Sequence, residues 1–417
     1  MSGEATGALT GMRVLDLSRV LAGPWCGQLL ADLGADVIKI ERPGTGDDTR
    51  GWGPPFVTDK AGAPTRESAY YLCANRGKRS LAVDMAGPRG QAIVRDLAAR
   101  CDVVIENFKV GGLARYGLDY DSLSAVNPGL VYCSITGFGQ DGPYAARPGY
   151  DVLIQAMGGL MSLTGQPDGA PGGEPMKTGV AVADLFTGVY SAFAILAALR
   201  HRDRTGEGQH IDMALLDVQV AMLANQASNY LVSGRAPQRA GNAHPNIVPY
   251  QVFATSDGHM VLAVGNDEQF RRFCEAVGLD ALLADPAYAS NAGRVAHRDS
   301  LVPRIASHLA TGTTDEWVRR LEAVGVPGGP INTMDRVFAD PQVRHRGMHR
   351  TVEHAVSGSV DLVACPIRLS RTPAREPTAP PMLGADSRRV LADALGLDDR
   401  AVDALVAEGV VDDGSGR

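Results

Sequence analysis

The sequence has no CxxC pair, no GxGxxG and no histidine among its first 200 residues. Each absence removes a class of chemistry. The six cysteines, Cys26, Cys73, Cys101, Cys133, Cys274 and Cys365, stand singly, which argues against a zinc site and against a disulfide framework. Most lie among apolar neighbours and read as small buried hydrophobes; no metal is expected. Leu21-Ala22-Gly23-Pro24 occupies the place where a dinucleotide fingerprint would follow the first strand, so a Rossmann dinucleotide site is not expected. All nine histidines lie at or beyond His201, and any mechanism built in the first half must do without a local imidazole. Positive charge is not in excess either. With 40 Lys and Arg against 47 Asp and Glu, a nucleic-acid partner has no support. The opening MSGEATGALTG lacks the basic and apolar regions of a signal peptide. No apolar run reaches the ~18 residues of a membrane span. A cytoplasmic protein with no membrane partner is the expectation.

What is present is a chain of 417 residues, 45% hydrophobic and 21% charged, too long for one ordinary core and therefore expected to form two domains. MRVLDL (from Met12) predicts a strand, RVLAGPWCGQLLADL (from Arg19) a helix and VIKIE (from Val37) a second strand. This β-α-β unit opens a parallel sheet. SLAVDM, CDVVIENF and LVYCSIT read as further strands, YDVLIQAMGGLMSL and the stretch Leu185 to Leu199 as helices. VFATSDGHMVLAVG reads as a β-hairpin, followed by helices near Asp267, Val302 and Thr314. The fold class is α/β: a large Rossmann-like parallel-sheet domain plus a smaller α+β domain. The expected boundaries are 1–232 for the first part of the large domain, 233–332 for the linker and small domain, and 333–417 for a return segment.

Ligands on open α/β sheets gather at the carboxyl ends of strands. Arg42, Asn107 and Phe108 stand at such ends, Lys78 and Arg79 precede a strand, and Arg115 follows a Gly-Gly turn. Singly each reads as a surface group; together they outline a pocket for an anion. In TGVAVADLFTGVY, from Thr178, Asp184 separates an apolar strand-like run, Gly179 to Ala183, from an apolar helix. Two roles fit it: helix cap or reactive carboxylate. Asp151 after Tyr150 reads as another cap, and Gly158-Gly159 inside a helix points to a close approach.

With these residues placed, the chain resembles a family III CoA-transferase, the group with the formyl-CoA and carnitine CoA-transferases and the α-methylacyl-CoA racemases. RVLDLSRVLAGP, ADLGADVIKIERPGTGDDTR, NRGKRSLAVD, DVVIENFKVGGLARYGL, GYDVLIQAMGGLMSLTG, GVAVADLFTGVY and PPMLGADS carry the resemblance, in order, from about Leu9 to Val411. LVYCSITGFGQDGP, NIVPYQVFATSDG and GVPGGPINTM are similar to the subgroup that moves CoA from succinyl-CoA to glutarate and related dicarboxylates.

The resemblance implies that Asp184 is the nucleophile, with Tyr150, Asp151, Gly158 and Gly159 in support. It implies a CoA pocket of Leu21, Ala22, Arg42, Leu72, Lys78, Asn107, Phe108, Arg115 and Tyr116. It also implies an interlocked, ring-like homodimer with each active site between the large domain of one subunit and the small domain of the other. CoA and acyl-CoA enter as substrates, and no tightly bound cofactor is expected. The racemases carry His where this chain has Tyr150, so the transferase reading leads. A racemase-like isomerase and a non-catalytic CoA-binding protein are the alternatives.

A carboxylate suits CoA transfer because its attack on a thioester gives a mixed anhydride, which keeps the acyl group activated. Oxyanion donors are expected from Gly158-Gly159 or Gly265-Asn266, and a distal substrate carboxylate is expected to meet Arg19, Arg50 or Arg147.

Overall fold

The computed structural model describes residues 7–415; the first six residues of the stretch read above for a targeting signal lie outside it. The chain divides into two compact units. The first runs to Gly159 and takes in Thr178–Ala227 and the chain from Pro341. The second comprises Leu160–Lys177 and Ser228–Asp340. The expected breaks at 232/233 and 332/333 therefore fall a few residues off, and 160–177 belongs to the second unit. That stretch is fixed by residues distant in sequence: Gly241 N–H donates to Gly165 O at 3.0 Å, and Arg239 donates to Gln166 O at 3.1 Å.

The first unit is built on β1 (Arg13–Asp16), α1 (Ala22–Asp32), β2 (Asp36–Glu41), β3 (Lys78–Val83), β4 (Val103–Glu106), β5 (Val131–Thr136) and, after further helices, β6 (Gln209–Ala214). Across the sheet the order is β3-β2-β1-β4-β5-β6, all parallel, with the C-terminal strand Val411–Asp412 antiparallel beyond β3. Near-continuous apolar runs form these strands because a parallel sheet is covered on both faces. One face buries Leu15, Leu17, Val104 and Tyr132 under Val94, Leu97, Val390 and Leu391. The other buries Val14, Ile105 and Cys133 under α1 and the long helix Val182–Thr205.

Three more helices frame the site: α2 (Asp151–Met157), α3 (Val182–Thr205) and α4 (Leu215–Ala221). α3 crosses α1 closely at Gly188, where a Cβ would lie 2.7 Å from Ala22 O and 3.0 Å from the Trp25 ring. No bulkier residue fits that crossing. Contrary to the expectation from apolar runs, α3 is long and apolar enough to cross a membrane, with a mean hydropathy of 1.8. Its Ala183, Ala192, Ile195 and Leu199 are nonetheless core residues of this unit.

The second unit is α+β. Tyr250–Thr255 and Gly258–Ala263 form the expected hairpin, and Gly328–Pro330 adds an antiparallel edge. Phe253, Met260, Leu262, Phe273, Leu301 and Trp317 pack between this sheet and its helices.

Beneath the carboxyl ends of β1 and β2 lies a buried ionic cluster. Arg50 makes paired hydrogen bonds to Glu41 at 2.8 Å and to Glu67 at 2.7 and 2.8 Å, donates to the Tyr71 hydroxyl at 2.6 Å and covers the Tyr71 ring at 3.7 Å. Removing one member of such a cluster strands the others in a medium that cannot solvate them. Arg50→Met is expected to lower unfolding free energy by about 3–5 kcal/mol, read from chemical denaturation; a loss below about 1 kcal/mol would show that water reaches the orphaned carboxylates.

Candidate active site

From β1 the chain moves outward through β2 to β3, then returns to place β4 on the other side of β1. The loops after β1 and β4 therefore leave a crevice at the carboxyl edge of the sheet, the topological switch point. Asn107 ties the two loops together: its Oδ1 accepts from Arg19 N–H at 2.9 Å and its Nδ2 donates to Arg19 O at 2.6 Å. Its amide is thus committed to backbone rather than free to read a planar base. The next residue, Val20, has φ +71°, a conformation that a β-branched residue holds only under constraint from its surroundings. The constraint comes from below. Lys39, fully buried, donates to Ser18 O at 2.9 Å and pairs with Asp47 at 2.9 Å, while Asp47 Oδ1 accepts from Val20 N–H at 3.3 Å.

The crevice is a cavity of about 800 Å³. Leu21, Ala22, Asn107, Phe108 and Arg115 line it, together with Tyr150 and Asp184. Arg42 and Tyr116 line a neighbouring cavity of about 170 Å³, and Phe108 forms part of both walls. Two residues assigned to the pocket by resemblance, Leu72 and Lys78, line neither cavity. The Lys78 ammonium is buried against Asp16 at 2.8 Å, Pro24 O at 2.8 Å and Asn75 Oδ1 at 2.9 Å. It holds α1 to the sheet, and burial draws its pKa down to about 8.

Asp184 occupies the third position of α3, and the strand expected over Gly179 to Ala183 does not form. Nor does Asp184 cap its helix. The cap comes from Asp151, whose Oδ2 accepts from Ala183 N–H at 2.8 Å and Asp184 N–H at 3.3 Å. Asp151 was expected to cap its own helix, but it is the first residue of α2, with Tyr150 before it. Its other oxygen accepts from Gln155 Nε2 at 2.5 Å, and Gln155 Oε1 accepts from Thr178 N–H at 3.0 Å. A buried glutamine thus orients the carboxylate that holds the backbone of Asp184.

The electrostatics run against the simplest expectation. A helix N-terminus favours an anion, yet Asp184 is pushed up to about 7, first by burial and then by the Asp151 charge. Low-dielectric surroundings and a like charge outweigh the helix dipole. The same field reaches Tyr70, which neither composition nor spacing singled out. Burial, followed by the charge on Asp184, holds its phenol up at about 12, so it remains a protonated donor. Its ring meets Trp52 edge-on at 5.2 Å.

Several expected roles do not survive. Gly158 N–H donates to Ile154 O at 2.7 Å and Gly159 N–H to Ala156 O at 3.3 Å, so neither is available to an oxyanion. Gly158 is small because a Cβ would meet the Gln219 side chain at 2.3 Å. Gly265 N–H donates to Gln269 Oε1 at 2.7 Å and Asn266 caps the helix Asp267–Val277. Arg50 is consumed by the ionic cluster. Arg19 and Arg147 both line the large cavity. Arg19 pairs with Asp48 at 2.9 Å, whereas Arg147 rests on the rings of Phe138 and Tyr144 at 5.3 and 4.6 Å.

With the geometry in place, the comparisons are informative. A family model described as CoA-transferase family III matches residues 9–387. The succinate–glutarate CoA-transferase of Agrobacterium fabrum is 55% identical over 385 residues, 92% of this chain and 95% of that protein. The human succinyl-CoA:glutarate CoA-transferase is 44% identical, covering 97% of this chain and 90% of that protein. Among solved structures, a CAIB/BAIF family protein from Brucella suis has a TM-score of 0.83 at 50% identity, covering 93% of this chain and all of that one.

The Asp151–Asp184 pair sets a testable pH dependence. Ionised Asp184 is lost as pH falls through about 7, so kcat/KM should decline on an acid limb near that value. Asp151→Asn removes the like charge and keeps an acceptor for the helix N-terminus. The limb should then move down by about one pH unit. An unchanged limb would assign it to another group.

Proposed function

The chain belongs to CoA-transferase family III, and from that premise we propose that it carries CoA from succinyl-CoA to glutarate, with Asp184 as the covalent carrier. The relatives acting on succinate and glutarate support the substrate pair. The observation that supports the carrier most directly is a half-buried carboxylate on the first turn of α3 that lines the switch-point cavity.

The reaction runs in four exchanges. Asp184 Oδ attacks the thioester carbonyl of succinyl-CoA, the C–S bond breaks, and a mixed anhydride and CoA thiolate result. The thiolate attacks the aspartyl carbonyl and expels succinate, leaving an aspartyl-CoA thioester. A glutarate carboxylate attacks that thioester and again releases the thiolate. The thiolate then attacks the glutaryl carbonyl, forming glutaryl-CoA and regenerating Asp184. Every step conserves one activated acyl bond, so no outside energy source is needed. The raised pKa of Asp184 fits this use, since a more basic carboxylate is a better nucleophile once ionised.

The nucleotide end of CoA fits the smaller cavity, between apolar Leu17, Ile40 and Met85 and the edge of Tyr116, with Arg42 beside it for phosphate. The pantetheine arm then passes Phe108 into the large cavity toward Asp184. Arg147, which like Arg115 and Lys109 lines that cavity without an acidic partner among the described ion pairs, is a cation suited to a distal carboxylate.

The homodimer belongs to the same reading. Phe186, Val189, Tyr190 and Phe193 recur at helical spacing along α3 and are 45, 49, 43 and 71% exposed. An apolar stripe on the nucleophile's own helix is a costly surface for a lone chain and suits a second copy. In the interlocked arrangement typical of the family, that copy's small domain completes each active site.

Two measurements test this reading. With succinyl-CoA as donor, wild type should transfer CoA to glutarate, and Asp184→Ala should lose at least about 10³-fold in kcat; retained transfer would remove the nucleophile assignment, and failure of every dicarboxylate acceptor would remove the substrate pair. Light scattering should give twice the chain mass for wild type, and Phe193→Glu should shift it toward one chain. A monomeric wild type would contradict the dimer.

A further inference from the structure

Glu106 is the last residue of β4 and is only 6% exposed. Nothing in the transfer chemistry uses it. It lies on the sheet face opposite Asp184, because Ile105, its neighbour along the strand, packs with the helices that carry the nucleophile. A buried carboxylate facing away from the reaction needs its own explanation.

Its contacts supply one. Glu106 Oε2 accepts from Phe108 N–H at 2.7 Å, closing a tight turn over Glu106, Asn107 and Phe108. Ser134 stands beside Glu106 on the neighbouring strand, paired with it across β4 and β5, and Ser134 Oγ lies 2.9 Å from His210 Nε2. Tyr120 stacks on that ring at 5.2 Å and fixes its plane. Side chains from three adjacent parallel strands, β4, β5 and β6, thus form one line on this face, with His210 against Ser134 and Glu106 against the Phe108 amide. Lys109, Asp119, Asp121 and His210 surround this line around a small cavity of about 190 Å³. Burial pushes the Glu106 carboxyl up to about 7, against the pull of Ser134 and the Phe108 N–H.

What the line holds is the pocket wall. The same turn aims the Asn107 amide at both backbone groups of Arg19 and brings the Phe108 ring into both cavities. We propose that Glu106 is a positioning residue for acyl-CoA binding: as an acceptor for Phe108 N–H it sets the β4 turn that joins the two switch-point loops and presents Phe108 to the CoA ester. The role requires an acceptor at this position rather than a charge. It rests on reading the crevice as the CoA-ester site.

The test compares side chains with and without that acceptor in the full-length enzyme, using succinyl-CoA and glutarate. Glu106→Gln keeps the acceptor and should leave KM for succinyl-CoA within about twofold of wild type. Glu106→Met keeps the volume and removes the acceptor, and should raise that KM about tenfold or more, with kcat at saturation within about threefold and KM for glutarate unchanged. In hydrogen exchange the 106–112 segment should lose protection in Glu106→Met and keep it in Glu106→Gln. Equal KM values for the Met and Gln variants would overturn the proposal, as would a fall in kcat alone. Should Glu106→Met not fold, Glu106→Ala removes the same acceptor in a smaller side chain, and an unchanged KM and exchange pattern in that variant would overturn it equally. Failure of wild-type enzyme to saturate with succinyl-CoA would instead defeat the reading of the crevice, so the two failures are distinguishable.

Discussion

One carboxylate oxygen of Asp151 accepts the first free N–H groups of α3, and Asp184, the proposed nucleophile, sits on that same turn. This contact fixes where the helix starts and so where Asp184 points. It also brings a negative charge close to Asp184, which would have to ionise to act as the proposed carrier. Position and reactivity are therefore coupled. A neutral cap would hold the helix equally well but leave Asp184 more acidic and less nucleophilic. Gln155, fully buried, keeps Asp151 in place by bonding its second oxygen and the Thr178 amide. Positioning thus passes through two residues before it reaches Asp184.

The crevice has a comparable foundation. A parallel sheet that reverses direction between β1 and β4 opens a gap at its carboxyl edge, but a gap alone is not a binding site. Here the two loops are tied by Asn107, while Lys39 and Asp47 brace the β1 loop from beneath with Val20 in a conformation it would not adopt freely. The charges supporting this edge are buried and mutually paired. Arg42, Arg115 and Arg147 line the cavities with their charges toward solvent, as the proposed binding of an anionic substrate requires.

Much of this was legible in the sequence. Strands with apolar runs and turns at both ends, such as VIKIE and LVYCSIT, declare themselves because both faces are buried. Asp184 stood out as the lone acid in an apolar stretch. Other features were not legible, for a common physical reason. A lysine before a strand looks the same whether it meets phosphate or, as with Lys78, a buried aspartate 62 residues away. Asp151 reads as a cap for the helix it begins, and only the fold reveals that it caps another helix 33 residues on. Gly158 looks like an oxyanion donor until Gln219 is seen filling the space beside it. Residues 160–177 join the second unit through hydrogen bonds to residues about 70 positions away, which no local pattern encodes.

Covalent loading of Asp184 with CoA is the central step of the proposed reaction. Incubating the enzyme with succinyl-CoA and no acceptor, quenching with hydroxylamine and mapping peptides by mass spectrometry examines that step directly. A hydroxamate on Asp184, dependent on succinyl-CoA and absent from Asp184→Asn, is the predicted result. Turnover at the normal rate with Asp184 unmodified under the same quench would contradict it.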